Sequence, residues 1–412
     1  MEHGSTTDRR ASRTNTSLKV AANLLLLLGF AVPFVTSGYV GMPMGARPAA
    51  LAANVVLWIA GLALGYRAFV NETRPGADVP AWRRMCGYVT RTSATWLLLG
   101  IGLGFVYHPT VSHTFFGTNF NSVLAVTLVV MGIQITGREW RRLARDFKAV
   151  SIVVVLRWLV MPLCGYCVSF VAFRLFLPPH IADSLAIGMI LLCTSPSGAA
   201  SNSLTLISRG DLALSVSATT VNVLLAPFLQ PLLVRLFVGS STAVDTRGMF
   251  LDLVTYILIP VVAASLFGTL FPRVVEAIRP LLGPLAVISL ACVLMGTISK
   301  GTETMLANLY VLVYVLIACL VQGMAGLLLG YHLPRLFGFS REQRISSCFE
   351  VGVENAAIAP ALAVSYFNPL AILPAVVYGK TQNLLAVLIF TRRFQKENER
   401  LPDPEPDRTT AR

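Results

Sequence analysis

Long apolar runs separated by short polar stretches set the pattern of this chain. In windows of about 19 residues, the length of a helix that spans a bilayer, such runs fall at 18–38, 48–70, 90–108, 118–136, 149–176, 183–208, 211–238, 250–271, 279–299, 305–333, 342–366 and 371–391. Each predicts a transmembrane helix, so the chain reads as an all-α, multi-pass integral membrane protein. The first run follows a basic stretch, as a signal peptide does. It has no small-residue cleavage site and a second long run follows it, so it is read as an anchor.

Composition agrees: of 412 residues 55% are hydrophobic and only 13% charged, about half the charge of an ordinary soluble domain. The net charge of +13 changes the picture only through its placement. One set of alternate loops carries Arg9, Arg10 and Arg13, then Arg67, Arg74, Arg83, Arg84 and Arg91, then Arg138, Arg141, Arg142, Arg145 and Lys148, and later Arg335, Arg341, Arg344 and the tail from Arg392. The opposite set holds little beyond Arg47, Arg174, Arg235, Arg247 and Lys300. Basic loops stay on the cytoplasmic side, which places both termini in the cytoplasm, with the cell membrane as the expected location. The charge is a topological signal that also attracts anionic lipid, and nucleic acid is not an expected partner. The seven cysteines lie mostly in apolar runs, Cys164 and Cys167 among them, and the five histidines form no zinc motif. No transition metal or organic cofactor is indicated.

Two runs break the apolar pattern. In CTSPSGAASNSLTLISRGDLALSVSATTVN, Pro196, Ser197 and Gly198 interrupt a helix and Ser201, Asn202, Ser203 and Thr205 follow. In CFEVGVENAAIAP, Glu350, Gly352, Glu354 and Asn355 fall in mid-span. Irregular backbone at membrane depth survives only against protein or a wet cavity, so both read as discontinuous helices, with breaks at Pro196, Gly198 and Gly352. Such helices, placed alike in two halves of a transporter, build ion and substrate sites near the midplane. If the third to seventh runs form one five-helix unit and the eighth to twelfth another, each break falls in the fourth helix of its unit. A unit of odd helix number repeated once must be inverted. Arg209-Gly210-Asp211 reads as a cytoplasmic turn between helices.

The segments Pro196 to Asn202, Ala213 to Thr220 (ALSVSATT) and Glu350 to Asn355 (EVGVEN) together resemble the bile acid:sodium symporter family. The resemblance spans about residues 90–391. It implies a ten-helix inverted 5+5 repeat with two crossing broken helices, plus an N-terminal two-helix hairpin that the family lacks. It divides the chain into a cytoplasmic tail (1–17), the additional hairpin (18–72), a transporter unit (88–391) and a cytoplasmic tail (392–412). Within the unit it implies a panel (88–136 and 250–299) and a core (148–238 and 305–391) that move relative to each other in alternating access.

Residue by residue, the resemblance implies a sodium site at Ser201, Asn202, Ser215, Thr219 and Glu350. The chemistry is compatible: Na⁺ takes several oxygen ligands, and Ser215 and Thr219 at i, i+4 share a helix face. Ser and Thr also occur in membrane helices purely as packing and hydrogen-bonding residues. At the family's second sodium site two glutamines are replaced here, by Arg157, five residues before Pro162, and by Glu354. The expectation is that the Arg157 guanidinium stands in for the second Na⁺ beside Glu354.

The resemblance also places Asn355, Gln382 and Asn383 along the substrate crevice. Lys380 is a third intramembrane charge with three open readings: it attracts an anionic substrate, it closes the first sodium site or releases a proton, or it snorkels to the interface. The resulting expectation is a sodium-coupled symporter of a small organic anion, with a sodium-independent or proton-coupled carrier of the same fold as the alternative. A cation/proton antiporter would show an Asp pair at the crossing, and an enzyme a motif such as GxSxG or HExxH; the chain has neither motif, and no enzymatic activity is expected.

Overall fold

The computed structural model describes residues 60–67, 69–70, 80–133, 135, 146–239, 244–355, 357–391 and 393–394. The two tails and most of the expected N-terminal hairpin lie outside these residues. Within them the fold is all-helical, and the one β-type pairing is an isolated bridge between Ser197 and Glu354.

The chain enters through α1 (Ala81–Arg91) and α2 (Ser93–Val106), two single-turn helices (His108–Val111 and Phe115–Thr118) and α3 (Phe120–Ile133). Next come α4 (Phe147–Ser169), extended by a π-helical turn to Arg174, then α5 (Pro179–Cys193), α6 (Ala199–Ile207) and α7 (Leu212–Val238). The second half holds α8 (Thr246–Leu253), continued through another π turn into α9 (Ile259–Leu270), α10 (Pro272–Ala307) and α11 (Val311–His332). It ends with α12 (Arg341–Gly352), α13 (Ile358–Tyr366) and α14 (Ile372–Leu385), which runs on in π form to Thr391.

Every apolar run predicted from 90 to 391 is therefore a helix or a broken helix. Among the described residues six helical segments are long and apolar enough to cross a membrane: Phe147–Arg174, Leu212–Val238, Thr246–Leu270, Pro272–Glu303, Val311–Phe337 and Pro369–Thr391. One expectation needs correction. Residues 81–91, read as part of a basic loop, form α1, whose axis is bent 75° from that of α2. The signal for α1 is amphipathic rather than apolar, so a hydropathy window passes over it.

Packing sorts the helices into two groups. α10 lies against α2 and α3, and α3 against α9. Hydrocarbon supplies no hydrophobic drive between helices, so contact depends on small residues that let backbones approach. Gly100 and Gly104 of α2 do this: a Cβ on either would sit 2.4 Å from a carbonyl oxygen of α10, Ala291 or Met295. In the second group α4 packs on α5, α7, α11 and α12, and α11 on α12 and α14. There Gly352 presses on the backbone of Leu327, where a Cβ would fall 2.7 Å from its nitrogen. The largest buried hydrophobic cluster runs across both groups, from α3, α8, α9 and α10 to α4, α5, α7 and α11–α14.

Candidate functional site

The two breaks meet. α5 ends at Cys193, and Thr194 to Gly198 run irregularly before α6; α12 ends at Gly352, and Val353 to Ala357 separate it from α13. The segments pair antiparallel through Ser197 and Glu354, and Asn355 N–H donates to the Pro196 carbonyl at 2.9 Å. α5 packs on α13 and α6 on α12, so the half-helices on either side of the meeting point are exchanged.

Backbone groups released from helical bonding at membrane depth must find other partners. Proline at 196 has no N–H to satisfy. Gln382 of α14 spans Glu354: its Oε1 accepts from Glu354 N–H at 2.7 Å and its Nε2 donates to Glu354 O at 3.1 Å. Tyr378 hydroxyl donates to Gly352 O at 2.9 Å, and Ala357 N–H to Asn355 Oδ1 at 3.2 Å.

Beside the breaks lies Glu350, with no exposed surface. Its Oε1 accepts hydroxyl protons from Ser201 (2.5 Å), Ser215 (2.7 Å) and Thr219 (2.8 Å), and its Oε2 one from Ser197 at 2.7 Å. The same Ser215 and Thr219 hydroxyls lie 2.8 and 3.3 Å from Asn202 Oδ1, so the amide oxygen and Glu350 compete for the single proton of each. The five residues expected at the first sodium site thus come together from α6, α7 and α12. Among the Lys and Arg whose side chains the structure describes, no ion pair to Glu350 occurs. The sequence reading missed the outer part of this network, in which Asn222 Nδ2 donates to Ser197 and Trp158 Nε1 to Asn222, each at 3.0 Å. The available signal was one more amide, Asn222, in the same polar segment.

Arg157 of α4, 1% exposed, reaches the other side of the breaks. Nη1 donates to Glu354 Oε1 at 3.0 Å and to the Val351 carbonyl at 2.9 Å. Nη2 donates to Glu354 Oε2 and to the Ser195 carbonyl. The guanidinium forks onto the carboxylate and also ties the freed carbonyls of both broken helices. Gln230 supports this arrangement from α7, donating to Ser195 Oγ at 3.1 Å.

The expected crevice residues are placed differently from one another. Gln382 is buried, and its amide is engaged by the Glu354 backbone rather than free for a substrate. Asn355 is half-buried and caps its own break, while Asn383 is exposed and donates only to Gly379 O, at 3.4 Å. Lys380 sits on α14; the reading of its side chain lies outside the described residues. No group of His, Cys, Asp and Glu suited to a transition metal occurs among the described residues.

Comparison with known proteins bears on this arrangement directly. Residues 122–308 match the sodium bile acid symporter family. The similarity to the family extends over a little under half of the chain. The matched region carries Arg157, the first break and the Ser215 and Thr219 face, while Glu350 and Glu354 lie beyond it. Among similar proteins is the "Uncharacterized sodium-dependent transporter YocS" of Bacillus subtilis (strain 168), 28% identical over 309 residues, covering 75% of this chain and 92% of that protein. Another is the "Probable sodium/metabolite cotransporter BASS1, chloroplastic" of Arabidopsis thaliana, 29% identical over 311 residues and covering 75% of each chain. The rice (Oryza sativa subsp. japonica) protein of the same description is 30% identical over 267 residues, covering 65% of this chain and 63% of that one. By their descriptions these relatives are an uncharacterized sodium-dependent transporter and probable sodium/metabolite cotransporters.

Proposed function

We propose that this protein is a secondary active symporter that moves an organic anion by alternating access, coupled to one Na⁺. The ion is held by Glu350 with Ser201, Asn202, Ser215 and Thr219, and the Arg157 guanidinium occupies the place of a second. The observation that carries this reading is the bonding of Arg157. One fixed cation reaches both oxygens of Glu354 and a carbonyl from each broken helix, oxygen groups of the kind that suit a hard cation.

Burying a carboxylate costs several kcal/mol. Around Glu350 that cost is offset in part by hydroxyl bonds, each worth about 1.5–3 kcal/mol to a charged group. The carboxylate thus stays available to an incoming hard cation, whose remaining ligands are the hydroxyl and amide oxygens already gathered there. In this reading α2, α3, α8, α9 and α10 form the panel, and α4–α7 with α11–α14 the core of a ten-helix inverted repeat whose two broken helices cross. Substrate binds near the crossing, facing Asn355, Asn383 and Lys380, in a protein of the cell membrane with both termini cytoplasmic.

Uptake into proteoliposomes tests the proposal. Sodium-driven accumulation of an organic anion with a Hill slope near one supports it; indifference to Na⁺ together with a response to ΔpH supports the proton-coupled alternative. Arg157→Gln combined with Glu354→Gln is expected to raise the slope towards two. An unchanged slope in an active double variant counts against the replacement of the second ion.

A further inference from the structure

The region before α2 is unlike the rest of the molecule. α1 reads AWRRMCGYVTR: three arginines, no acidic residue, and aromatic rings at 82 and 88. The 75° bend places it steeply across the spanning direction of α2. One face is committed to the protein. Tyr88 and Val89 are buried, the Tyr88 hydroxyl donates to Leu62 O at 2.9 Å, and its ring packs on Tyr66 and Phe69. The other face is open: Trp82 is 46% and Met85 48% exposed, and the exposed Arg83 guanidinium lies 5.2 Å from the Trp82 ring centre. α10 packs on α1, and its first turns add exposed Arg273 and Arg279, with Glu276 pairing to Arg279 at 3.4 Å.

A helix lying at an angle to the span, with an aromatic and a thioether exposed beside arginines, has the chemistry of the membrane interface. Its apolar side chains reach the acyl boundary while the guanidiniums meet headgroup phosphates. We propose that α1 and the start of α10 form a binding surface for anionic phospholipid headgroups. Charge complementarity selects the occupant: this surface carries an excess of guanidinium over carboxylate, so a net-negative headgroup is favoured over a zwitterionic one. Nothing in this inference depends on the ion or substrate of transport.

The test uses the full-length chain in neutral detergent, titrated with fluorescent phosphatidylglycerol, fluorescent phosphatidylcholine or inorganic phosphate. Phosphatidylglycerol is expected to bind at least fivefold tighter than phosphatidylcholine at low ionic strength, a preference that shrinks with salt. Arg83→Gln with Arg273→Gln is expected to weaken phosphatidylglycerol by roughly fivefold per arginine, and Arg83→Lys with Arg273→Lys to keep most of the affinity. Equal binding of the two lipids, or a glutamine variant that binds phosphatidylglycerol as the parent does, overturns the proposal. So does inorganic phosphate that competes as well as the lipid, which would mark a free-anion site.

Discussion

Replacing Arg157 by Gln isolates what the guanidinium does. The side chain donates four hydrogen bonds, two to Glu354 and one each to the Val351 and Ser195 carbonyls. Arg157→Gln leaves the buried Glu354 carboxylate without its partner, which costs about 3–5 kcal/mol, a large part of a typical total stability of 5–15 kcal/mol. Glu354→Gln strands the guanidinium at a similar cost. With both changed no net charge is left, and the remaining loss is the two carbonyl bonds, about 1–3 kcal/mol each where the acceptor stays unsatisfied. The double variant is therefore expected to lose about 4 kcal/mol less than the sum of the singles.

Sodium adds a second readout to this cycle. In Arg157→Gln, both Glu354 oxygens, the two carbonyls and the new amide oxygen converge where the guanidinium was, an oxygen set suited to a hard cation. Na⁺ at about 100 times its dissociation constant would recover about 2.7 kcal/mol. The assay is denaturant or thermal unfolding of the purified chain in NaCl against choline chloride at equal ionic strength, for parent, singles and double. Additivity within about 0.5 kcal/mol, or an Arg157→Gln protein as indifferent to Na⁺ as to choline at this site, would refute the reasoning.

Two further outcomes follow from the same geometry. Glu350→Gln removes the charge that the four hydroxyls surround, so sodium-driven accumulation and any sodium-specific gain in thermal stability are expected to vanish; a variant that still accumulates substrate on a sodium gradient contradicts the assignment. Gln382→Ala leaves the Glu354 N–H and carbonyl without their partners, costing about 1–3 kcal/mol, and is expected to lower kcat alike for all substrates; a KM change confined to one anion would return Gln382 to the crevice.

Much of this architecture was legible in the sequence because hydrocarbon leaves few options. An apolar run at bilayer length must be a helix, and the polar residues at 196–205 and 350–355 had to mark breaks. The residues proposed for the sodium site came from the resemblance at Pro196 to Asn202, Ala213 to Thr220 and Glu350 to Asn355, and the i, i+4 spacing of Ser215 and Thr219 is compatible with it. What the sequence reading lacked depends on rotation and reach across elements. Gln382 looks like a substrate ligand on α14 until its amide is seen spanning Glu354. Asn222 and Trp158 serve the network only because α4 and α7 turn them toward Ser197. α1 escaped because its signal is a mixed face of Trp, Met and Arg, which lowers the mean hydropathy that marks a spanning helix.

The proposed exchange of a mobile ion for a fixed one also predicts what drives transport. Two Na⁺ moving with a monovalent anion carry one net positive charge per cycle, and a membrane potential then adds about 2.3 kcal/mol per 100 mV. One Na⁺ with the same anion carries none. Arg157 and Glu354 travel, if they travel, as a forked pair of zero net charge, so they return no gating charge to the field. Uptake of a monovalent anion by the parent protein is therefore expected to follow the sodium gradient and to ignore a potassium diffusion potential set with valinomycin. In an active Arg157→Gln, Glu354→Gln protein, restored binding of a second Na⁺ makes the cycle electrogenic, and an inside-negative potential should accelerate uptake. A parent protein that already responds to the potential as strongly as this variant would mean that a second cation moves despite the guanidinium, and the substitution of charge at the crossing would be wrong.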